Sequence, residues 1–158
     1  VSSTVNAPAP ATDVLFGSSF RLENGDLVLA SGEASTEPQL VSGLANLKQA
    51  LTLRLLTPFG TDPVNAGYGL DARRAFTTGQ TRRMVKELIR LEVVRTLVSD
   101  PRVSEVAEVL FDDDQQFLAQ LLAAGEPSPN HRSRLWHVLV TVETVQNVTT
   151  SVLVDVEL

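Results

Sequence analysis

Residues 135–158 read LWHVLVTVETVQNVTTSVLVDVEL, and the parity of their apolar side chains decides how the chain folds. Trp136, Val138, Val140 and Val142 share one parity; His137, Thr141 and Glu143 share the other, with Leu139 as the exception. Further on, Val152, Val154, Val156 and Leu158 alternate with Ser151, Asp155 and Glu157, Leu153 excepted. Alternation with period two marks strands with one buried face. A two-residue turn at Gln146-Asn147 would set even residues opposite odd ones and bring Val138 beside Asp155, placing a row of valines against a row of acids. A loop of odd length removes the conflict. Three residues, Gln146 to Val148, would pair Val142 with Val152, Val140 with Val154 and Val138 with Val156, and Asn147 suits the left-handed position such a loop needs. One face is then expected to be apolar and the other to carry His137, Glu143, Asp155 and Glu157. One edge of the sheet is expected to stay open. Val152, Val154 and Val156 mark it as a possible strand acceptor, because unpaired main-chain groups invite a partner strand.

Working outward, Val103 to Phe111 reads as a strand and Phe117 to Leu122 as a short helix with Asp112, Asp113 and Asp114 before its positive end. Glu126 to Arg134, with Pro127 and Pro129, is a loop. Met84, Leu88, Leu91, Val94 and Val98, widened by Val85, Ile89 and Leu97, form the stripe of a helix capped at Thr77 or Thr78 and ending at Ser99. Leu40, Leu44, Leu47, Leu51 and Leu55 do the same for a helix from Leu40 to Leu56, stopped by Thr57-Pro58. Before it, Asn24-Gly25 between apolar residues signals a hairpin, and Ser31 to Pro38 reads as a polar loop. Residues 1–13, rich in Ala, Pro, Ser and Thr, are expected to form a flexible arm. The sum is a single α+β domain over residues 14–158. Two main helices pack on one face of a largely antiparallel sheet, with an N-terminal hairpin and a C-terminal strand pair.

Composition removes several functions. The 158 residues include no cysteine, which rules out disulfides and thiolate chemistry. A net charge of −6 speaks against a nucleic-acid surface. Neither a membrane-spanning apolar run nor a secretory leader is visible. His131 and His137 are too few and too poorly spaced for zinc, and neither a nucleophile elbow nor a phosphate-binding loop occurs. His137 is expected at the surface. Carboxylate pairs exist among Asp112 to Asp114, Glu105 with Glu108, and Asp71, yet aromatics are only 5%, too few to floor a sugar cleft. No cofactor, metal or catalytic residue is expected.

Four segments carry a resemblance. The first is Gly43-Leu44-Ala45-Asn46-Leu47-Lys48-Gln49-Ala50, running on through Arg54-Leu55-Leu56-Thr57-Pro58-Phe59-Gly60. The second is the turn Tyr68-Gly69-Leu70, the third is Asp100-Pro101-Arg102-Val103, and the fourth is the closing strand pair. In order and spacing the chain resembles the baseplate wedge protein family of contractile phage tails, which includes the lysozyme-like baseplate component of type VI secretion systems. The insertion at 112–134 and the N-terminal arm depart from that pattern. The resemblance implies a structural virion or injection-particle component that is not an enzyme. Its partners would be the helical core bundle of larger wedge subunits, sheath subunits by strand addition, and possible hub or tube-initiator proteins, with no nucleic acid and no membrane insertion. It would be cytoplasmic during assembly and then part of the baseplate. Pro101 fixes a turn from which the planar fork of Arg102 is offered. The bare sequence equally allows Arg102 to bond its own helix end or a nearby acid, and the resemblance favours Asp100, Pro101 and Arg102 as partner-binding. Two other classes stay open: a peptidoglycan-cleaving tail enzyme and a generic assembly adaptor.

Overall fold

A computed structural model describes residues 11–31, 36–76, 81–125 and 135–157. The expected loop at 126–134 with His131, the cap at Thr77 or Thr78, and residues 1–10 of the arm lie outside the described residues. In chain order the elements are α1 (Ala11–Phe16), β1 (Ser18–Phe20), β2 (Leu22–Glu23), β3 (Asp26–Leu27), β4 (Leu29–Ser31), β5 (Thr36–Pro38), β6 (Leu40–Ser42) and α2 (Gly43–Leu56). They continue as α3 (Arg73–Phe76), α4 (Arg82–Val98), β7 (Val103–Phe111), α5 (Phe117–Ala123), β8 (Leu135–Thr144) and β9 (Thr149–Glu157). The chain is α+β with antiparallel sheets, an N-terminal hairpin and a C-terminal strand pair. It groups into two compact units, residues 1–49 and 50–158, which divide inside α2.

In the first unit Asn24 (φ 52°) and Gly25 (φ 89°) close the β2–β3 hairpin, as the Asn-Gly signal requires. The chain then departs from the expected polar loop, since Ser31 and Thr36–Pro38 belong to β4 and β5, which pair with each other. Leu40–Ser42 is also strand rather than helix and lies antiparallel to β1. The helix starts at Gly43 because that residue sits at φ 62°, a left-handed conformation that a helix cannot run through. Three short strand pairs therefore meet at one point. There the amide of Arg21 donates to the Gln39 carbonyl, that of Val28 to Arg21, and that of Gln39 to Val28, at 2.7, 3.0 and 2.8 Å. Two amides on α2 hold this region: Asn46 donates to the Phe16 carbonyl at 2.7 Å, and Gln49 accepts from the Leu22 amide at 2.9 Å.

In the second unit α4 packs against β7 of the three-stranded sheet β7-β8-β9. Thr81 caps α4 through its side chain, four residues or so beyond the expected cap. The buried residues of α4 are Ile89, Glu92, Val93, Thr96 and Leu97. This corrects the expected stripe, because Met84, Leu91 and Val98 are about half exposed. Both apolar series satisfy the helical period; Ile89, Val93 and Leu97 are the fully buried ones, and Lys86 and Arg90 lie over the Phe111 ring at 4.7 and 5.3 Å.

The closing hairpin keeps the expected odd loop but moves it by one residue. The amide of Thr144 donates to the Val148 carbonyl, leaving Val145, Gln146 and Asn147 as the loop, with Asn147 at φ 58°. Even residues still pair with even ones, now Val140 with Val152, Val138 with Val154 and Trp136 with Val156. The physical reason is that the left-handed position is the last of the three. A loop of 146–148 would place β-branched Val148 there, at a steric cost that Asn147 avoids.

The two exceptions to strict alternation are also explained. Leu110, Leu139 and Leu153 face one another across the three strands and pack with Phe117 and Leu121 of α5. The face expected to carry the polar residues is covered there. His137, two residues along the same face from Leu139, is correspondingly 2% exposed rather than on the surface, and its Nδ1 lies 2.5 Å from Asp155 Oδ1. Trp136 is core as expected, edge-on to Phe111 at 5.7 Å.

Candidate functional site

Three of the four segments singled out in the sequence meet at one corner of the second unit. Thr57 to Phe59 runs beside Leu70: the Leu70 amide donates to the Thr57 carbonyl at 2.8 Å, and the Phe59 amide to the Leu70 carbonyl at 3.1 Å. Gly69 makes this approach possible. At φ +106° it occupies backbone space closed to other residues, and a Cβ there would stand 2.4 Å from the Thr57 carbonyl oxygen. On the other side, the Gly69 carbonyl accepts from the Thr96 hydroxyl of α4 at 3.4 Å.

Tyr68 then joins the third segment. The Arg54 guanidinium lies 4.9 Å from the Tyr68 ring centre and donates to the Ser99 hydroxyl at 2.7 Å and the Thr96 carbonyl at 3.2 Å. These contacts tie the end of α2 to the end of α4. Burial pushes the Tyr68 phenol up, against the lowering influence of Arg54.

The corner itself is built around Asp100. Because Pro101 follows, the chain turns, and the Asp100 carboxylate accepts from the Arg102 amide at 3.0 Å and from its Nε and Nη2 at 2.9 and 2.8 Å. The resemblance offered the Arg102 fork to a partner, while the bare sequence equally allowed a bond to its own helix end or a nearby acid. The fork is engaged in a bidentate bond to the preceding acid, and Asp100 is only 5% exposed. Burial works against the charged carboxylate, but the bonds from Arg102 and the nearby Arg102 and Arg54 charges outweigh it and hold the Asp100 carboxyl below its ordinary range. The same bond raises the Arg102 guanidinium. Beside the corner is an open cleft of about 470 Å³ bordered by Phe59, Gly69, Glu92 and Arg95.

The two margins of the β7-β8-β9 sheet differ. The amide of Val145 donates to β7's side at the Arg102 carbonyl, and the His137 carbonyl accepts from Asp112, so odd residues of β8 bond toward β7 and even ones toward β9. Val152, Val154 and Val156 therefore spend their main-chain groups on β8, and their side chains are buried. The outward groups of β9 belong to Ser151, Leu153 and Asp155, and no described strand pairs with them. β9 has no bulge. β7 has register shifts between Val103 and Glu105 and between Val106 and Glu108. Its outward Val109 carbonyl accepts from Arg90 Nε at 3.3 Å, and its Phe111 amide donates to Asp114 at 2.8 Å. Side chains thus occupy two of the places a neighbouring strand would take, both at the C-terminal end of β7. Nothing in the local sequence announces this, since Arg90 and Asp114 are 24 residues apart.

Four of the acidic candidates have partners of their own. Asp113 and Asp114 pair with Lys86, Asp114 also with Arg90, and Glu108 bonds Gln120. Burial opposes ionisation of Asp113, and Lys86 more than reverses this, holding its carboxyl low. Asp71 lies 4.0 Å from Arg73. Among the described residues no group of three His, Cys, Asp or Glu side chains could hold a metal, and no helix is long and apolar enough to cross a membrane. No known protein family, curated protein or solved structure matches this chain.

Proposed function

We propose that the chain is a structural baseplate wedge subunit of a contractile injection machine, linking the helical core bundle of larger wedge subunits to the first sheath ring, and that it is not an enzyme. The observation that carries this reading is the convergence of Thr57-Pro58-Phe59, Tyr68-Gly69-Leu70 and Asp100-Pro101-Arg102 into one rigid corner. Segments far apart in the chain that share a resemblance to one family also share one place. The corner serves the core bundle, and Asp100 fixes the plane in which the Arg102 guanidinium is presented. The β9 margin supports the second attachment: it is regular, uncovered by any described strand, and suited to a strand from a sheath subunit. The chain would assemble in the cytoplasm and end in the particle baseplate.

The test is coexpression with the wedge and sheath subunits of a contractile particle. Ser151→Pro removes an outward amide of β9 and the Ser151–Thr141 hydroxyl contact while leaving the main-chain bonds of β9 to β8, and proline is tolerated at such an edge position. It is expected to abolish sheath attachment and keep the core bundle. Arg102→Lys, which keeps charge but not the fork, is expected to do the reverse. Retention of both partners by both variants, or release of peptidoglycan fragments by the purified chain, would overturn the proposal.

A further inference from the structure

The outer face of α4 carries Met84, Leu91 and Val98 at seven-residue spacing, exposed to 53, 53 and 49%. Fourteen residues of helix extend over about 21 Å, so the stripe runs most of the length of α4. Seven-residue spacing keeps such residues on one seam against a second helix. On the same seam, four residues before Leu91 stands Glu87, and four residues after it stands Arg95; their side chains are 55 and 60% exposed.

This pattern is complementary to itself. Set two copies of α4 antiparallel about a two-fold axis through Leu91. Leu91 then meets Leu91 of the other copy, Met84 meets Val98, and Glu87 meets Arg95, each contact occurring twice. A closed two-fold interface demands this mutual matching of one patch with itself. A seam carrying only apolar residues would accept any amphipathic helix, whereas the opposite charges equidistant from the centre select the second copy in one direction. Within the monomer Glu87 bonds Arg90 at 2.6 Å and Arg95 bonds Glu92 at 3.0 Å. The Glu87–Arg90 pair lies at the surface and is of small worth, and Arg90 keeps Asp114 when Glu87 turns outward; Arg95, 60% exposed, keeps one guanidinium nitrogen on the nearly buried Glu92 and has further donors for the other copy's Glu87.

We infer that the outer face of α4 is a self-association surface, on which two copies of the chain pair antiparallel about Leu91 through Met84–Val98 and Glu87–Arg95 contacts. The inference is independent of the wedge reading.

Sedimentation of the full chain over micromolar to millimolar concentrations tests it. Wild type is expected to pass from monomer to dimer across that range. Leu91→Asp is expected to remain a monomer with an unchanged far-ultraviolet spectrum, since Leu91 leaves the core untouched. Glu87→Arg and Arg95→Glu should each weaken dimerisation roughly tenfold, because each reversal acts twice across the axis. The two reversals combined should restore it, which no loss of folding could mimic. A chain that is monomeric throughout overturns the inference, as does a dimer indifferent to Leu91→Asp or a double reversal no better than the single ones. A monomer whose capture of an acidic amphipathic helix is lost in Leu91→Asp also overturns it, in favour of a foreign partner.

Discussion

Gly69 shows how much of the corner rests on a missing side chain. Gly69→Ala must either push the Thr57 carbonyl away or abandon a left-handed backbone, and is expected to destabilise the chain by about 2–4 kcal/mol, read as a lower urea midpoint. The tyrosine-glycine turn was legible in the sequence, but its reason was not, because the atom that forbids a Cβ belongs to a residue 12 positions earlier. Arg102 teaches a related point. Read as an exposed corner residue, its replacement by alanine should cost within about 0.5 kcal/mol. With Asp100 buried beneath it, Arg102→Ala strands a carboxylate, and the expected loss is about 1–3 kcal/mol, measured by urea unfolding at neutral pH. The pH dependence follows in sign. A carboxylate whose folded pKa is depressed stabilises the fold above its unfolded value of about 4 and ceases to do so as pH falls through the lower folded value. Asp100→Asn is therefore expected to be less stable than wild type at neutral pH, with the gap narrowing as pH falls below about 4 and through the depressed folded value. A gap constant with pH would show that the charge of Asp100 contributes nothing.

At the scale of elements, alternation and turn chemistry located β7, β8, β9, α5 and the first hairpin, because these depend on near neighbours in the chain. Parity also required an odd loop between β8 and β9. The position of that loop hung on which residue could enter the left-handed region, and Asn147→Val is expected to cost about 1–2 kcal/mol, while Asn147→Gly should be close to neutral in thermal unfolding. The stripe of α4 was harder to read. Two apolar series run along this helix, and periodicity cannot say which one meets the sheet; that depends on long-range packing, of which Lys86 and Arg90 over Phe111 are a part. Leu139 and Leu153 were visible as breaks in alternation, and each break marks the covering of a second face by α5. Leu139→Ala is expected to cost about 2–5 kcal/mol, far more than an outward strand position would. The beginning of α2 was misplaced because Leu40 continues the leucine spacing of the helix, while a left-handed Gly43 cuts it off.

At the scale of the whole molecule, the two compact units were not separable in the sequence, since their boundary falls within an uninterrupted helix rather than in a linker rich in glycine or proline. The sheet margins were legible only as a general hazard of open edges. Which margin is blocked depends on Arg90 and Asp114 standing in for a strand along β7. The asymmetry has a consequence for assembly. A sheet that could be joined at both margins would have a valence of two and could be threaded into an indefinite array. Here the Val109 carbonyl and Phe111 amide at the end of β7 are taken by the chain's own side chains, while no described strand pairs with β9, so on the proposed reading the sheet would receive a neighbour at β9 and not at that end of β7. On the proposed reading, a subunit that received strands at one margin alone would stand at the end of a strand-sharing series and set the direction in which it grows.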